Sequence, residues 1–222
     1  MIQHLILCPL SHETKALREY LQELGHTAQP MSIGKQGAWS LPSLSAVLAV
    51  GGHGKAQFAA TSQFLIQNIN TLKLLICAGV AGALDLQLTH GDVVVGQTTV
   101  EHDFRLKFKK QDLPEFHGSQ IHIQKLVELK TLSTHIGKIA SGDEDILNRE
   151  RAQEIYDQTG GAIAVAWEGA GGARAARLSD LDYLEIRGIS DLCDGQTLED
   201  FKIHFHGAMK AVAQTLEQIL TK

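Results

Sequence analysis

The chain has 222 residues, a length that fits one ordinary domain or a tight pair of domains. It is 44% hydrophobic and 20% charged, so it can bury a substantial core and does not have the composition of a disordered tail. Twenty Lys and Arg residues against 25 Asp and Glu residues give a net charge of −5. This balance argues against a general nucleic-acid binder or a binder of anionic membranes, because both need a basic surface.

The cysteines and the apolar runs indicate the compartment. Cys8, Cys77 and Cys193 are far apart and odd in number, which favours a reducing compartment over a disulfide framework. No apolar run reaches the roughly 18 residues of a membrane span. The apolar start over residues 1–10 has no basic residue before it and no small-residue cleavage site after it, so we expect no signal peptide. These features favour a soluble cytoplasmic protein.

Short apolar runs alternate with amphipathic segments along the chain, which predicts strands alternating with helices. The predicted strands are 2–8, 44–50, 72–77, 92–95, 98–100, 136–140, 162–165 and 183–189. The predicted helices are 12–24, 55–68, 121–132, 148–158, 169–178 and 197–220. Ser11 is expected to cap the first helix and Gly25 to end it. The polar stretch over 101–119 is expected to be a long excursion.

This alternation predicts an α/β fold with a mixed, mainly parallel twisted sheet flanked by helices. The sequence has no Pro-, Gly- or Ser-rich linker and no internal repeat, so we expect a single domain over residues 1–222. Ligands of such sheets bind where the loops converge at the carboxyl ends of the strands. The segments that follow strands in this way are 9–13, 51–55, 78–84, 141–146 and 187–195.

Several common site motifs are absent from the sequence. The glycine segment 51–54 precedes Lys55, but Ala56 stands where a phosphate-binding loop needs Ser or Thr, so we expect only a tight turn into a helix. The Ala-Gly-Val-Ala-Gly segment over 78–82 is likewise expected to be a close-approach turn. No Gly-x-Ser-x-Gly elbow marks a nucleophilic serine.

The histidines give no metal motif by their spacing. His204 and His206 are two residues apart on a predicted helix and therefore point to different faces. His122 has no partner at ligand spacing either. We expect these residues to be solvated or core histidines, and we expect no metal site.

Two carboxylates in the C-terminal half are candidates for chemistry. Glu168 lies at a strand-to-helix junction, where it can either cap the helix or accept two hydrogen bonds from a sugar diol. Asp191 ends an apolar strand, where it can either cap a turn or, with a raised pKa beside an apolar pocket, donate a proton.

Taken in order, the motifs resemble those of the nucleoside phosphorylase/nucleosidase superfamily, and most closely the methylthioadenosine/S-adenosylhomocysteine nucleosidases. The resemblance covers nearly the whole chain. The motifs that carry it are Glu13, Gly52-His53-Gly54-Lys55, the Ala-Gly-Val-Ala-Gly-Ala-Leu run over 78–84, Gly91-Asp92-Val93-Val94, Glu101-His102-Asp103, Ser141-Gly142-Asp143, Glu168 and Arg187-Gly188-Ile189-Ser190-Asp191.

The resemblance implies cleavage of the N-glycosidic bond of a purine nucleoside. By position, Asp191 matches the acid that protonates the base at N7, with Ser190 orienting it. Glu168 matches the residue that holds the ribose hydroxyls. Glu13 matches the carboxylate that orients or deprotonates water at the anomeric carbon, and Arg187 matches its cationic neighbour.

The resemblance also implies a set of substrate-binding residues. The loop over 143–146 falls where the family contacts the base, which makes Asp145 and Ile146 candidates, although many members have an aromatic residue at the position of Asp145. Trp167 stands where the family usually has a Met that packs on the nucleoside. Val80 stands in place of a Ser that helps to hold the attacking water.

Phosphorolysis requires cationic side chains in the site to bind the phosphate nucleophile, whereas hydrolysis does not. Phosphorylases of this family place an Arg shortly before the glycine segment and a Ser within it, whereas here 75–77 is apolar and Val80 occupies the Ser position. The segment 9–11 also lacks the basic residue that phosphorylases have near the first strand. A buried phosphate without partners would cost several kcal/mol, so hydrolysis is favoured.

The sequence is compatible with three alternative functions. Val80 and Ala166 remove polar groups from the site, which leaves open a non-catalytic nucleoside-binding protein. The segment around Val80 also resembles futalosine hydrolases, although those enzymes tend to carry Asn at the position of Asp191. A phosphate-dependent phosphorylase is the third alternative. The resemblance implies a homodimer with a purine nucleoside as its small-molecule partner, and the sequence implies neither a metal nor an organic cofactor.

Overall fold

A twisted sheet runs through the structure, with helices on both of its faces. The computed structural model describes residues 1–108, 111–129 and 134–221. The strands are β1 (His4–Cys8), β2 (Gln29–Ile33), β3 (Gln36–Leu41), β4 (Ala46–Val50), β5 (Leu74–Ala83), β6 (Val93–Glu101), β7 (Glu115–His117), β8 (Thr134–Ser141), β9 (Ala162–Ala166) and β10 (Asp182–Asp191). The helices are α1 (Ser11–Glu23), α2 (Lys55–Gln67), α3 (Gln120–Leu129), α4 (Arg149–Gln158), α5 (Gly169–Leu178) and α6 (Thr197–Leu220).

The sheet is mixed, and its longest ladders are parallel. The strand order is β10-β6-β8-β9-β5-β1-β4-β3-β2, with β7 paired to β6. The ladders β5–β10 and β6–β8 are parallel, whereas β10–β6, β5–β9 and the β2–β3–β4 meander are antiparallel. Because β10 also pairs with β5, five strands close on themselves at one end of the sheet. The predicted α/β fold class is confirmed.

Helices bury their apolar faces on the two sides of this sheet. Side chains of α1, α3 and α6 share one hydrophobic cluster with strands of the sheet, and those of α2 and α5 share the other. Helix α5 is rich in Gly and Ala, so it packs close to the start of α2. A Cβ on Gly171 would lie 2.3 Å from the carbonyl oxygen of Lys55. This close packing brings the loop before α2 next to the loop before α5.

Two glycine segments that the sequence predicted as breaks are strand instead. The segment 78–82 lies inside β5, which continues because β10 pairs with it through Arg187 opposite Gly79. Gly96 lies inside a continuous β6, where the register to β8 shifts between Gly96 and Thr98. In both places the missing side chain makes room for a neighbour, since a Cβ on Gly96 would lie 3.3 Å from Cβ of Glu185.

The other differences are local. The hairpin of β2 and β3 was not predicted, and the excursion over 101–119 contains β7. The helix predicted over 121–132 is confirmed as far as residue 129, and the remaining three positions lie outside the described residues. None of the helices in the described part of the chain is both long and apolar enough to cross a membrane.

Candidate active site

The five strand-end segments picked out by the sequence meet around one cavity of about 330 Å³. This volume lies at the lower end of the range that holds a small ligand. The predicted site residues that line it are Glu13, Val80, Asp145, Ile146, Trp167, Glu168, Arg187, Ser190 and Asp191. The other lining residues are Pro9, Leu10, His53, Ala81, Gly82, Glu144, Leu147, Val165, Ala166, Cys193, Thr197, Leu198 and Phe201. Among them, Leu147, Val165, Thr197, Leu198 and Phe201 were not predicted to belong to the site.

Glu13 lies on the first turn of α1 with its side chain buried. Its carboxylate accepts hydrogen bonds from the backbone N–H of Leu10 at 2.9 Å and of Val80 at 3.0 Å. Glu13 therefore performs the capping that the sequence assigned to Ser11, which is the first residue of the helix itself. Burial raises the pKa of Glu13 from an ordinary value of 4.5 to about 7, and the nearby Glu168 adds to this rise.

Gly79 gives Glu13 and Arg187 room to approach each other. A Cβ at this position would lie 2.6 Å from Oε1 of Glu13 and 3.0 Å from Nη1 of Arg187. Both distances are shorter than a van der Waals contact allows. The glycine thus has a packing role inside β5, and the two charged side chains meet above it.

Arg187 is held by two carboxylates in the interior. Its Nε donates to Oε1 of Glu185 at 2.9 Å, and its Nη2 donates to Oε2 of Glu168 at 3.3 Å. Glu185 also accepts a hydrogen bond from the Thr99 hydroxyl at 2.6 Å. Arg187 is 1% exposed and Glu185 is fully buried. Glu185, which lies behind the cavity and fixes the guanidinium, was not among the predicted site residues.

Glu168 does not cap α5, although it precedes that helix. Its side chain makes no capping hydrogen bond, and the Ser141 hydroxyl accepts from the N–H of Ala170 instead. Besides Arg187, the Glu168 carboxylate accepts from the N–H of Gly54 at 3.2 Å. The glycine turn before α2 is therefore a turn as predicted, and it also contributes an amide to the site.

A bulge near the end of β10 brings two consecutive side chains to the cavity. The register between β10 and β5 shifts between Ile189 and Asp191, so Ser190 is the extra residue and both Ser190 and Asp191 line the cavity. The Ser190 hydroxyl donates to Oδ2 of Asp191 at 3.0 Å, and the backbone N–H of Cys193 donates to Oδ1 at 3.3 Å. Asp191 thus caps a turn and faces the cavity at once. Burial raises its pKa, which these hydrogen bonds oppose.

The mouth of the cavity combines aromatic and aliphatic side chains. Trp167 packs on the ring of His53, with centroids 4.2 Å apart, and His53 Nδ1 lies 3.6 Å from Oε1 of Glu168. Ile146 is buried, whereas Asp145 is exposed beside it. Asp143, which the resemblance placed at the base, lies outside the cavity, where its carboxylate accepts from the N–H of Lys55 at the start of α2.

The lining is strongly acidic. Five carboxylates line the cavity, and Arg187 is the only Lys or Arg among the described residues there. That guanidinium is already engaged by Glu185 and Glu168. Burial raises the pKa of Glu13 to about 7 and also raises that of Asp191, which makes both carboxylic groups candidates for proton transfer. A phosphate dianion would meet net repulsion in this cavity.

Comparison with known proteins identifies the family. The model of the phosphorylase superfamily matches residues 3–221. The 5′-methylthioadenosine/S-adenosylhomocysteine nucleosidase of Thermotoga maritima is 30% identical over 159 residues, which are 72% of this chain and 71% of that protein. The enzyme of the same name from Staphylococcus haemolyticus is 28% identical over 190 residues, covering 81% of this chain and 83% of that protein.

Solved structures share the fold. The 5′-methylthioadenosine/S-adenosylhomocysteine nucleosidase of S. pneumoniae, with a transition-state inhibitor, superposes with a TM-score of 0.87 at 24% identity over 99% of this chain and 98% of that chain. The futalosine hydrolase of Helicobacter pylori superposes with a TM-score of 0.84 at 22% identity over 99% and 97%. The curated relatives confirm the predicted enzyme class, an N-glycosyl hydrolase. The chain belongs to the phosphorylase superfamily.

Proposed function

We propose that the chain is a purine nucleosidase that hydrolyses the N-glycosidic bond of an adenine nucleoside such as 5′-methylthioadenosine or S-adenosylhomocysteine. One observation carries the proposal. Glu13, Glu168 and Asp191 surround a single cavity whose only Lys or Arg among the described lining residues is Arg187. The names of the curated relatives support the substrate class.

Asp191 is proposed as the acid for the departing base. Burial raises the pKa of Asp191 and so increases the share of its protonated form, which can pass a proton to N7 of the purine as the bond from the base to C1′ breaks. Ser190 and the Cys193 amide fix the carboxyl group from the side. The neutral base then leaves without carrying negative charge into a cavity that is already acidic.

Glu168 and Glu13 are proposed to act on the sugar and on water. Glu168, oriented by Arg187 and the Gly54 amide, accepts hydrogen bonds from the ribose hydroxyls and stabilises the positive charge that develops on the ring. Glu13, with a pKa of about 7, accepts a proton from water as the oxygen bonds to C1′. Trp167, Val80, Asp145 and Ile146 are the proposed walls of the nucleoside pocket.

Water is proposed as the nucleophile because the cavity offers no free cation for phosphate. Arg187 donates hydrogen bonds to the carboxylates of Glu185 and Glu168. The N–H of Val80 donates to Glu13, and the carbonyl oxygen of Val80 accepts from Arg187. A phosphate placed here would lose its hydration without gaining an unengaged partner, at a cost of several kcal/mol.

A nucleoside panel assayed with and without phosphate tests the proposal. Adenine release from methylthioadenosine or S-adenosylhomocysteine is expected to proceed at the same rate in both conditions, with free ribosyl sugar as the product. Strict phosphate dependence with a sugar 1-phosphate product would assign the chain to the phosphorylases. If futalosine were the only nucleoside in the panel to be hydrolysed, the chain would instead be a futalosine hydrolase. Tight nucleoside binding without base release would indicate a binding protein.

The quaternary structure and compartment are part of the same proposal. The resemblance favours a homodimer. Three buried cysteines without a disulfide fit a reducing compartment such as the cytoplasm. Sedimentation of the purified chain is expected to give the mass of a dimer.

A further inference from the structure

A group of three side chains with metal-ligand chemistry lies away from the cavity. His90 belongs to the loop between β5 and β6, and Asp200 and His204 belong to the first two turns of α6. One ligand atom from each lies within 4.8 Å of the other two. None of the three residues lines the cavity of the candidate active site.

The spacing on α6 is that of a helical chelating pair. Asp200 and His204 are four residues apart, so their side chains emerge on the same face of the helix. Two ligands at this spacing are a common way for a helix to hold a metal ion. The spacing of the histidines did not predict this group, because the third member, His90, is more than one hundred residues away from the other two in the chain.

His90 lacks the hydrogen bond that a buried ring nitrogen normally makes. Its Nε2 is buried without a hydrogen-bond partner, although Oδ2 of Asp200 lies 3.3 Å away. The rings of His90 and His204 stack with their centroids 3.8 Å apart and their planes 16° from parallel. Buried polar atoms without a partner are rare and call for an explanation. A cation between the three groups would supply one.

We propose that His90, Asp200 and His204 form a binding site for one divalent transition-metal ion, with Zn²⁺ as the best-matched type. Two imidazoles and one carboxylate suit zinc and leave a fourth position for water. The rings must rotate out of their stack for this, because each nitrogen lone pair lies in the plane of its ring. The oxygen of Asp200 is already in reach of His90.

Such an ion would join the loop before β6 to the start of α6. The same helix start contributes Thr197, Leu198 and Phe201 to the wall of the cavity. The ion would therefore hold one wall of the cavity in place without touching it. Its role is structural or regulatory, and it supplies no step of the proposed hydrolysis.

Isothermal titration of the chelator-treated full chain with ZnCl₂ at pH 7.5 tests the site. We expect saturation at one Zn²⁺ per chain and a rise in the melting temperature on binding. His90→Ala and His204→Ala are each expected to weaken binding about tenfold or more, since even loss of a hydrogen bond behind a ligand costs ~10–100-fold. His206→Ala is the matched control, because His206 contacts Tyr20 instead. The affinity of this variant for Zn²⁺ is expected to equal that of the wild-type chain.

The outcome does not depend on the proposed activity, since binding is read from heat and stoichiometry alone. Failure of the wild-type chain to bind Zn²⁺ stoichiometrically would overturn the site. Undiminished binding in a chain carrying both His90→Ala and His204→Ala would do the same, because the ion would then be held elsewhere.

Discussion

Glu185 and Arg187 lie two residues apart on β10, and their buried side chains meet in a hydrogen bond of 2.9 Å between Oε1 and Nε. Residues at this spacing share one face of a strand. The pair is closed off from water by the sheet, and it directs the remaining nitrogens of the guanidinium toward Glu168 and the cavity. The position of the catalytic candidates therefore depends on a carboxylate that does not line the cavity.

Removing the carboxylate of Glu185 is expected to destabilise the fold. The Glu185→Ala chain leaves Arg187 with only part of its charge compensated in the interior, which costs about 3–5 kcal/mol in free energy of unfolding. Urea denaturation measures the loss. Glu19→Ala is the control, because Glu19 forms an exposed pair with Lys15 at 4.0 Å, and its loss is expected to stay below about 1 kcal/mol. Equal losses in the two variants would contradict this assignment.

Asp191→Asn is expected to lower kcat by about 10²-fold or more while the chain stays folded. The amide keeps the shape and the hydrogen bond from Ser190, but it has no proton to give to the base at neutral pH. Asp194→Asn changes an exposed neighbour and is expected to leave kcat unchanged. Base release followed by absorbance measures both. Full turnover in Asp191→Asn would remove this residue from the mechanism.

The raised pKa of Glu13 makes stability depend on pH. In the unfolded chain its pKa is 4.5, and in the folded chain it is about 7, so folding favours the protonated form. The contribution of Glu13 to the free energy of unfolding is greatest below pH 4.5 and is lost as the pH rises to about 7. The free energy of unfolding of Glu13→Gln, relative to that of wild type, is therefore expected to rise by on the order of 3 kcal/mol between pH 4.5 and pH 7.5.

Urea titrations of both chains at several pH values measure this difference. Glu19→Gln lies on the same helix with an exposed side chain and serves as the control. The free-energy gap between Glu19→Gln and wild type is expected to stay constant with pH. A constant gap for Glu13→Gln as well would mean that Glu13 is ionised normally in the folded chain.

Gly79→Ala tests the meeting of Glu13 and Arg187. The added methyl group would lie 2.6 Å from the Glu13 carboxylate, which two backbone amides hold in place, so the carboxylate must shift. A displacement of this size is expected to lower kcat/KM by ~10²-fold. Gly37→Ala on β3 meets open space at an ordinary backbone angle and is expected to have no effect. Unimpaired turnover in Gly79→Ala would show that Glu13 tolerates movement.

The sequence predicted which segments surround the cavity, because local apolar patterns show roughly where buried strands lie. Apolar runs indicated the positions of β1, β5 and β10, and the segments at or after the carboxyl ends of these runs lie at one edge of the sheet. All five strand-end segments picked out in this way contribute to the cavity. The closing helix over 197–220 was also predicted with its observed limits.

What the sequence did not reveal depends on contacts between distant segments. β5 runs on through its glycines because β10 pairs with it, and no local pattern contains that information. β2 carries Pro30 and Ser32 in place of an apolar run, and it is a strand through pairing with β3. Glu185 is a charge in the middle of an apolar strand, and only its partner Arg187 explains it.

Because β10 is paired with β5 along its length, it is expected to tolerate inserted residues much less well than the loops around the cavity. A single residue inserted into β10 before Arg187 would turn every later side chain of that strand to the opposite face of the sheet, and Arg187 and Asp191 would leave the cavity together. The rim segments 143–148 and 194–196 join separate elements, and loops of this kind accept insertions. Changes in substrate range, by evolution or by laboratory selection, are therefore easiest to obtain through insertions in the rim segments. The strand segment that carries Arg187 and Asp191 must keep its length.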